Sequence, residues 1–261
     1  MPEILEVESY RALADRVVGA RVTRGWSDAY AAKKLHSTST WGRAVKGLTI
    51  TGTSRRGKLM LIDTDGVRLG MRFGMTGVLL IDADAGIDGL FYGPHTYKPS
   101  WIRAGLEFDD GRKLLLHDPR RMARVEIDPD LSELGPDALT LTRKEFNQIV
   151  TVSRGSGKAI KARLLDQSVV AGVGNLLGDE MLFRAGINPT TATGDLNAAQ
   201  RDELFAAFRA TMRSLKQRGG SHTGDHMDAR FPGGLCPRDG SPMRIDTVGG
   251  RTTYWCAHHQ R

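Results

Sequence analysis

Residues 164–189 read LLDQSVVAGVGNLLGDEMLFRAGINP, two apolar segments of helical periodicity joined by a glycine turn. The periodicity predicts one helix over Lys158–Gln167 and another over Asn175–Ala185. The glycines at 172–174 allow a sharp turn and leave the first N–H groups of the second helix open to an anion, to which the Asn175 side chain adds a donor. The same residues also fit a plain tight turn between helices, and without a preceding strand they do not match a dinucleotide-binding loop.

The chain before this segment has a different pattern. Residues 3–19 carry apolar side chains three or four positions apart, which predicts an amphipathic helix. Short apolar segments then follow, separated by Gly and Asp turns, a pattern typical of an antiparallel sandwich or barrel. They are Leu48–Thr53, Leu59–Asp63, Val78–Asp82, Leu106–Phe108, Lys113–His117 and Arg124–Ile127.

The remainder of the chain is helical and then Gly-rich. Two further helices are predicted over Thr142–Val152 and Asn197–Arg218, the second capped by Asp195. Ile245–Thr247 and Thr252–Trp255 are predicted to pair as a hairpin. The sequence therefore predicts an α+β protein: a β-sandwich lobe with a leading helix, a helical lobe and a small C-terminal hairpin. The predicted divisions are 1–128, 129–222 and 233–261.

Charge and composition favour a cytoplasmic protein that binds a polyanion. The 261 residues have a formal net charge of +7 and a pI near 9.6, and residues 151–261 carry 15 Lys and Arg against 10 Asp and Glu. Such a balance points first to nucleic acid, although a basic surface without a partner is the alternative. No apolar run approaches the roughly 20 residues of a membrane span, the N-terminus is acidic, and two cysteines cannot form a disulfide framework.

The N-terminus can supply a nucleophile. Removal of Met1 would expose the secondary amine of Pro2, and an α-amino group titrates near 7.7–8.0, far below lysine. A secondary amine can attack an acetal-like sugar carbon and form an iminium, with Glu3 beside it as an acid or base. A frayed terminus without function is the alternative interpretation.

The C-terminal tail has the spacing of a metal site. Cys236-x2-Asp239 is followed, after 16 residues, by Cys256-x2-His259. Thiolate, imidazole and carboxylate all bind zinc tetrahedrally, so the four residues predict one structural zinc ion. His258 competes with His259 for the fourth position, and two buried cysteines beside an exposed Asp and His are the alternative.

Seven motifs occur in order along the chain: Met1-Pro2-Glu3, Arg55-Arg56-Gly57-Lys58, Gly74-Met75-Thr76-Gly77, Asp118-Pro119-Arg120-Arg121, Leu134-Gly135-Pro136, the segment 164–189, and Gly250-Arg251-Thr252-Thr253 with Cys256. Over nearly the whole length they resemble the formamidopyrimidine-DNA glycosylase/endonuclease VIII family of base-excision repair enzymes. The resemblance implies a helix–two-turns–helix lobe and a zinc-finger hairpin. It also implies a bacterial, nucleoid-associated monomer that acts on double-stranded DNA with damaged bases or abasic sites.

The resemblance assigns four residues to the chemistry. Pro2 would attack the deoxyribose C1′ and release the damaged base, and Glu3 would handle protons during sugar-ring opening. Lys58 would relay a proton in β-elimination, and Arg251 would assist the second, δ-elimination. The implied activity is that of a bifunctional DNA glycosylase and abasic-site lyase acting through a proline Schiff base.

Further residues are implied in DNA binding. Asn175, Lys161 and Arg251 would grip phosphates around the extruded nucleotide. Met75 and Arg120 would fill the gap left in the duplex, since an enzyme that flips a base must hold the hole open.

Departures from the family pattern bear on specificity. Asp239 and His259 replace two of the family's four zinc cysteines, with the spacing retained. Met122-Ala123 replaces the usual Phe-Gly, which removes the aromatic wedge that stacks opposite the lesion. The segment from Gly219 to Cys236 is shorter than usual. This favours oxidised pyrimidines, hydantoins or abasic sites as substrates rather than 8-oxoguanine.

Two other functions are weighed against this enzyme. A catalytically idle relative would recognise distorted duplex without cleaving it, but retention of Pro2, Glu3 and Lys58 together favours the enzyme. An RNA-binding zinc protein would have no role for an N-terminal proline.

Overall fold

The computed structural model describes residues 1–87, 89–91, 93, 96–152 and 157–261. Its helices are α1 (Ile4–Ala14), α2 (Thr38–Val45), α3 (Arg143–Val150), α4 (Ile160–Leu165), α5 (Asn175–Ala185) and α6 (Ala198–Gln217). Its strands are β1 (Val22–Ser27), β2 (Ile50–Arg56), β3 (Leu59–Thr64), β4 (Leu69–Arg72), β5 (Val78–Ile81), β6 (Ile102–Phe108), β7 (Lys113–His117), β8 (Arg124–Ile127), β9 (Arg244–Val248) and β10 (Arg251–Trp255). The chain divides into two compact units, Met1–Ser132 and Glu133–Arg261.

The first unit is an antiparallel β-sandwich preceded by α1. Its sheets have the strand orders β1-β6-β7-β5 and β2-β3-β4-β8, and every pairing is antiparallel. Apolar residues of both sheets and of α1, among them Tyr10, Ile62 and Leu106, belong to one buried core. This burial, with the helices and the C-terminal hairpin of the second unit, confirms the predicted α+β class.

Some elements of the first unit escaped the sequence pattern. The residues of β1 do not alternate between apolar and polar, and only the first of them is buried. Five of the first six residues of α2, namely Thr, Ser, Thr, Trp and Gly, are weak helix formers. The helix is stabilised by the burial of Trp41 and Val45. Packing rather than local propensity determines both elements.

The second unit contains α3 to α6 and the β9–β10 hairpin. The α5 helix begins at Asn175, directly after the Gly174 N-cap, as the glycine turn predicted. The predicted cap of α6 was wrong: Asp195 ends a short 3₁₀ turn, and Asn197 is the N-cap. Asn197 Oδ1 accepts from the Gln200 N–H at 2.9 Å, and Gln200 Oε1 accepts from the Asn197 N–H at 3.0 Å, so the two side chains cap each other's backbone N–H groups.

The strands β9 and β10 pair over their full length, one to two residues beyond the predicted hairpin. The connecting Gly249 and Gly250 have φ of 59° and 71°, the left-handed values that a two-residue hairpin turn requires. Among the described residues, no helix combines the length and apolar character needed to cross a lipid bilayer.

Candidate functional site

The N-terminus is held at the start of α1. Pro2 is buried and Glu3 is 1% exposed, and the Glu6 carboxylate accepts the Glu3 backbone N–H at 2.8 Å. An acid in the first helical turn is well placed to satisfy this N–H group. Burial lowers the pKa of the Met1 amine below its ordinary value, although Glu3 and Glu6 act in the opposite direction. The environment therefore favours an uncharged amine.

Pro2 and Lys58 line the same cavity of about 180 Å³. Lys58 lies in the tight turn between β2 and β3, where Gly57 has a φ of 56°. Arg72 and Arg124 line the cavity as well. The structure thus brings two of the four predicted catalytic residues together and surrounds them with cations.

Arg72 and Arg124 are functional candidates that the sequence did not single out. They face each other in the register of β4 and β8, and each Nε donates to Glu126 Oε1 at 2.9 Å. Because one carboxylate balances two guanidinium groups, the cluster keeps a net charge of +1 beside Lys58. Basic residues at strand ends are usually solvated, so the pattern alone carried no signal for this pair.

The loop 118–123 is organised by one buried carboxylate. Asp118 Oδ2 accepts from the backbone N–H groups of Met122 at 2.6 Å and Ala123 at 2.7 Å. Its Oδ1 accepts from the Arg120 N–H at 3.1 Å and from Thr76 Oγ1 at 2.6 Å. This set of bonds fixes a turn that leaves Arg120 exposed and Met122 50% exposed.

A second loop, carrying Met75, lies against this one. Gly74 has a φ of 59°, and a Cβ built there would lie 2.7 Å from the backbone of Met122, so only glycine allows this approach. Met75 itself is half-buried. The structure therefore places Met75 and Arg120 on neighbouring loops of the first unit.

In the second unit, Asn175 contacts the hairpin. Its Nδ2 donates to the Thr252 carbonyl at 2.9 Å, and its Oδ1 is buried without a partner among the described residues. Arg251, at the start of β10, is exposed beside the Gly249-Gly250 turn. The expected phosphate donor is thus engaged by the strand that carries Arg251.

Lys161 departs from its expected role as a phosphate ligand. The side chain has no exposed area, and its Nζ lies 2.6 Å from Asp179 Oδ1 and 2.6 Å from Thr253 Oγ1. Asp179 also binds Arg230. Thr253 Oγ1 in turn donates to the Arg251 carbonyl at 3.0 Å. A buried ammonium cannot reach a phosphate, so in this structure Lys161 orients the hairpin strand.

Four ligand atoms converge in the tail. Those of Cys236, Asp239, Cys256 and His259 all lie within 4.8 Å of one another. Cys236 Sγ is 3.4 Å from His259 Nδ1, and Cys256 Sγ is 3.4 Å from Asp239 Oδ2. Ligands of a tetrahedral zinc ion lie roughly 3.3–3.8 Å apart, given its bond lengths of about 2.0–2.3 Å. The cluster therefore fits a metal ion.

The structure selects between the two histidines. His259 Nε2 lies 3.2 Å from the Phe183 carbonyl, which leaves Nδ1 to face the cluster as an acceptor. Such an outer hydrogen bond is the usual way of orienting a metal-binding imidazole. The His258 side chain is 70% exposed, and its Nδ1 lies 3.2 Å from Asp239 Oδ2, the oxygen that also faces Cys256. The predicted set with His259, rather than its competitor His258, is therefore the one whose ligand atoms converge.

Comparison with known proteins places this geometry in context. The formamidopyrimidine-DNA glycosylase N-terminal domain matches residues 1–125, and the formamidopyrimidine-DNA glycosylase H2TH domain matches residues 134–226. The formamidopyrimidine-DNA glycosylase of Afipia carboxidovorans is 31% identical over the full length of both chains. That of Geotalea uraniireducens is 32% identical over 98% of each chain.

The chain is also similar to solved structures of a formamidopyrimidine-DNA glycosylase. The Lactococcus lactis Fpg in complex with DNA containing an abasic site is 25% identical, with a TM-score of 0.80 and full coverage of both chains. Another structure of the L. lactis enzyme, bound non-covalently to DNA containing an abasic site, has a TM-score of 0.81 at 25% identity, again with full coverage.

Proposed function

The chain belongs to the formamidopyrimidine-DNA glycosylase family, and on that premise we propose that it excises damaged bases from double-stranded DNA and then cleaves the abasic site. The observation that carries this proposal is the shared cavity of Pro2 and Lys58, with the buried Glu3 following Pro2 in the chain. An amine in partly desolvated surroundings, next to a proton relay, is the arrangement that covalent catalysis at a sugar carbon needs.

The proposed reaction begins once Met1 has been removed. The Pro2 nitrogen attacks C1′, the bond from C1′ to the base breaks, and the base leaves with the electron pair of that bond and takes up the proton that the Pro2 nitrogen loses. Glu3 protonates the ring oxygen as the sugar opens, which gives the iminium. Loss of a C2′ proton, with Lys58 as the relay, then expels the 3′ phosphate, and Arg251 assists a second elimination at the 5′ side.

The charges around the cavity suit an anionic ligand. The net charge of +1 on the cluster of Arg72, Arg124 and Glu126 adds to that of Lys58. Oriented cations that need no rearrangement stabilise a phosphate as it leaves. We expect Arg120 and Met75, on the adjoining loops, to contact the duplex beside the lesion.

We also propose that the tail holds one zinc ion through Cys236, Asp239, Cys256 and His259. The ion, when bound, supplies only structure, because all four positions belong to protein side chains. It would fix the base of the hairpin whose other end carries Arg251.

The segment 219–236 supports a preference for lesions other than 8-oxoguanine. Glu180 accepts the Asp225 N–H at 3.0 Å and lies 2.8 Å from His226 Nδ1, while Asp179 binds Arg230. These contacts tie the segment to α5. A short, anchored segment leaves little chain to cover a flipped purine, so we expect oxidised pyrimidines, hydantoins or abasic sites to be processed best.

The test is a panel of duplexes, each with one defined lesion: 8-oxoguanine, a formamidopyrimidine, an oxidised pyrimidine, a hydantoin or an abasic site. We expect strand cleavage at the abasic site and base release from at least one other duplex. Tight binding without any cleavage would instead identify a catalytically idle relative. Light scattering on the same samples tests the expected monomer, and imaging of a tagged chain tests its expected place on the cytoplasmic nucleoid.

A further inference from the structure

Tyr30 forms an exposed pair in the first unit with Arg121 of the loop 118–123. The Arg121 guanidinium lies 4.7 Å from the centre of the Tyr30 ring, and its Nη1 donates to Tyr30 Oη at 2.9 Å. Tyr30 is nevertheless 47% exposed. The pair therefore has a fixed geometry and still leaves ring surface for a second partner.

A common anchor joins Tyr30 to this loop. Asp28 Oδ1 accepts the Tyr30 N–H at 3.0 Å, and Asp28 Oδ2 accepts from Arg103 Nη1 at 3.0 Å. Arg103 Nε donates to the Asp118 carbonyl at 2.8 Å. Because Asp118 also organises its own loop, one buried arginine sets the position of both segments.

The backbone adds a second link. The Val125 N–H donates to the Ala31 carbonyl at 3.0 Å. Ala31 directly follows Tyr30, and Val125 lies three residues after Met122. Arg121 has a φ of 57°, a value rarely adopted by a residue with a long side chain. The strained turn directs Arg121 to Tyr30 and leaves Met122 exposed at the tip.

These side chains have the chemistry of a base-stacking surface. Aromatic rings stack on the π face of any nucleobase, at about 1–3 kcal/mol per base, and a guanidinium can stack or bind phosphate. The loop 118–123 itself contains no aromatic residue. Tyr30 is an exposed aromatic residue that Arg121 and Asp28 hold beside this loop.

We propose that Tyr30, held by Arg121, stacks on the unpaired base opposite the lesion, where loop 118–123 supplies Met122 but no ring. This inference rests on the proposed function, since the opposite base loses its partner only when the damaged nucleotide is extruded. The site recognises a nucleobase face rather than a particular hydrogen-bonding edge.

The test compares two duplexes that carry the uncleavable abasic analogue tetrahydrofuran, one opposite a purine and one opposite a second tetrahydrofuran. We expect Tyr30→Leu to weaken binding to the purine-opposed duplex about 10-fold and to change binding to the other duplex less than about twofold, since only the first offers a base. Tyr30→Phe keeps the ring but loses the Oη contact, and we expect it to bind like wild type. Phe91→Leu, at a residue that is 49% exposed in the same unit, is the matched control and should bind both duplexes normally.

Equal loss on both duplexes, no loss on either, or a Tyr30→Phe variant as weak as Tyr30→Leu would overturn the proposal. Melting temperatures check that the variants fold, and Tyr30→Met provides a second non-aromatic side chain. Borohydride trapping on abasic DNA is measured separately, so that a failure of the proposed lyase chemistry is distinguished from a failure of the stacking site.

Discussion

The proposed chemistry depends on one atom, the backbone nitrogen of Pro2. It becomes nucleophilic only as a free secondary amine, once Met1 has been removed. Glu6 holds the neighbouring Glu3 backbone, so the amine and the carboxylate that serves it are positioned by α1. The proposed nucleophile and its acid therefore both depend on the start of α1.

Replacing the nucleophile separates chemistry from binding. Pro2→Gly keeps an amine but alters its iminium chemistry, so we expect excision and lyase rates to fall by about two orders of magnitude or more, with DNA affinity nearly unchanged. Protein that retains Met1 should be inactive, because its proline nitrogen is an amide. Single-turnover kinetics and binding titrations measure both effects, and wild-type rates from Met1-retaining protein would refute the role of Pro2.

Helix α5 organises the second unit. Asn175, Asp179 and Phe183 are spaced four residues apart and so lie on one face of the helix. Asn175 contacts the hairpin strand, Phe183 contacts His259 of the proposed metal site, and Asp179 reaches the strand through Lys161. One helix face thus sets the position of the hairpin that presents Arg251.

The buried carboxylate of Glu180 makes the stability of this unit pH-dependent. Burial alone would raise its pKa, but the hydrogen bond and charge of His226 lower it to about 2 from the ordinary 4.5. A depressed pKa stabilises the fold above the unfolded value, and this contribution is lost as pH falls from about 4.5 to 2. We expect Glu180→Gln to cost about 3 kcal/mol at pH 7, with the difference from wild type shrinking across that window. Urea unfolding at several pH values measures it, and a difference that does not vary with pH would argue against this charge pair.

Metal removal tests the hairpin. We expect close to one equivalent of zinc in protein purified without added metal, and we expect Cys236→Ser to lose DNA binding and lyase activity while the first unit stays folded. The affinity should also fall on acidification, since the two thiolates and the imidazole must be deprotonated to bind the ion. Less than about a tenth of an equivalent, together with a fully active Cys236→Ser variant, would show that side-chain packing alone holds the hairpin.

Local pattern predicted much of this unit but not its long-range partners. The start of α5, the hairpin strands and the spacing of the metal ligands are encoded within short segments. The burial of Lys161 is not, because Asp179 and Thr253 are distant in sequence. The spacing predicted His259 rather than His258, but the contact that orients its ring, with the Phe183 carbonyl, is again distant in sequence.

Over the whole chain, the net charge of +7 favours binding to a polyanion. If five or six Lys and Arg side chains contact phosphates, the logarithm of the binding constant should fall with the logarithm of salt concentration with a slope of about −5. Titrations of an uncleavable abasic duplex from low to moderate salt measure it. A flat response would show that the basic composition does not serve DNA binding.

The most direct measurement maps the covalent intermediate. Wild-type protein is incubated with abasic DNA and borohydride, the adduct is digested with nuclease and protease, and the modified peptide is sequenced by mass spectrometry. We predict that the sugar remnant is attached to the N-terminal nitrogen of the peptide beginning at Pro2. We also predict that protein from which Met1 has not been removed gives no adduct at Pro2. Attachment to a lysine such as Lys58, or no adduct at all on abasic DNA, would contradict the proposed proline chemistry.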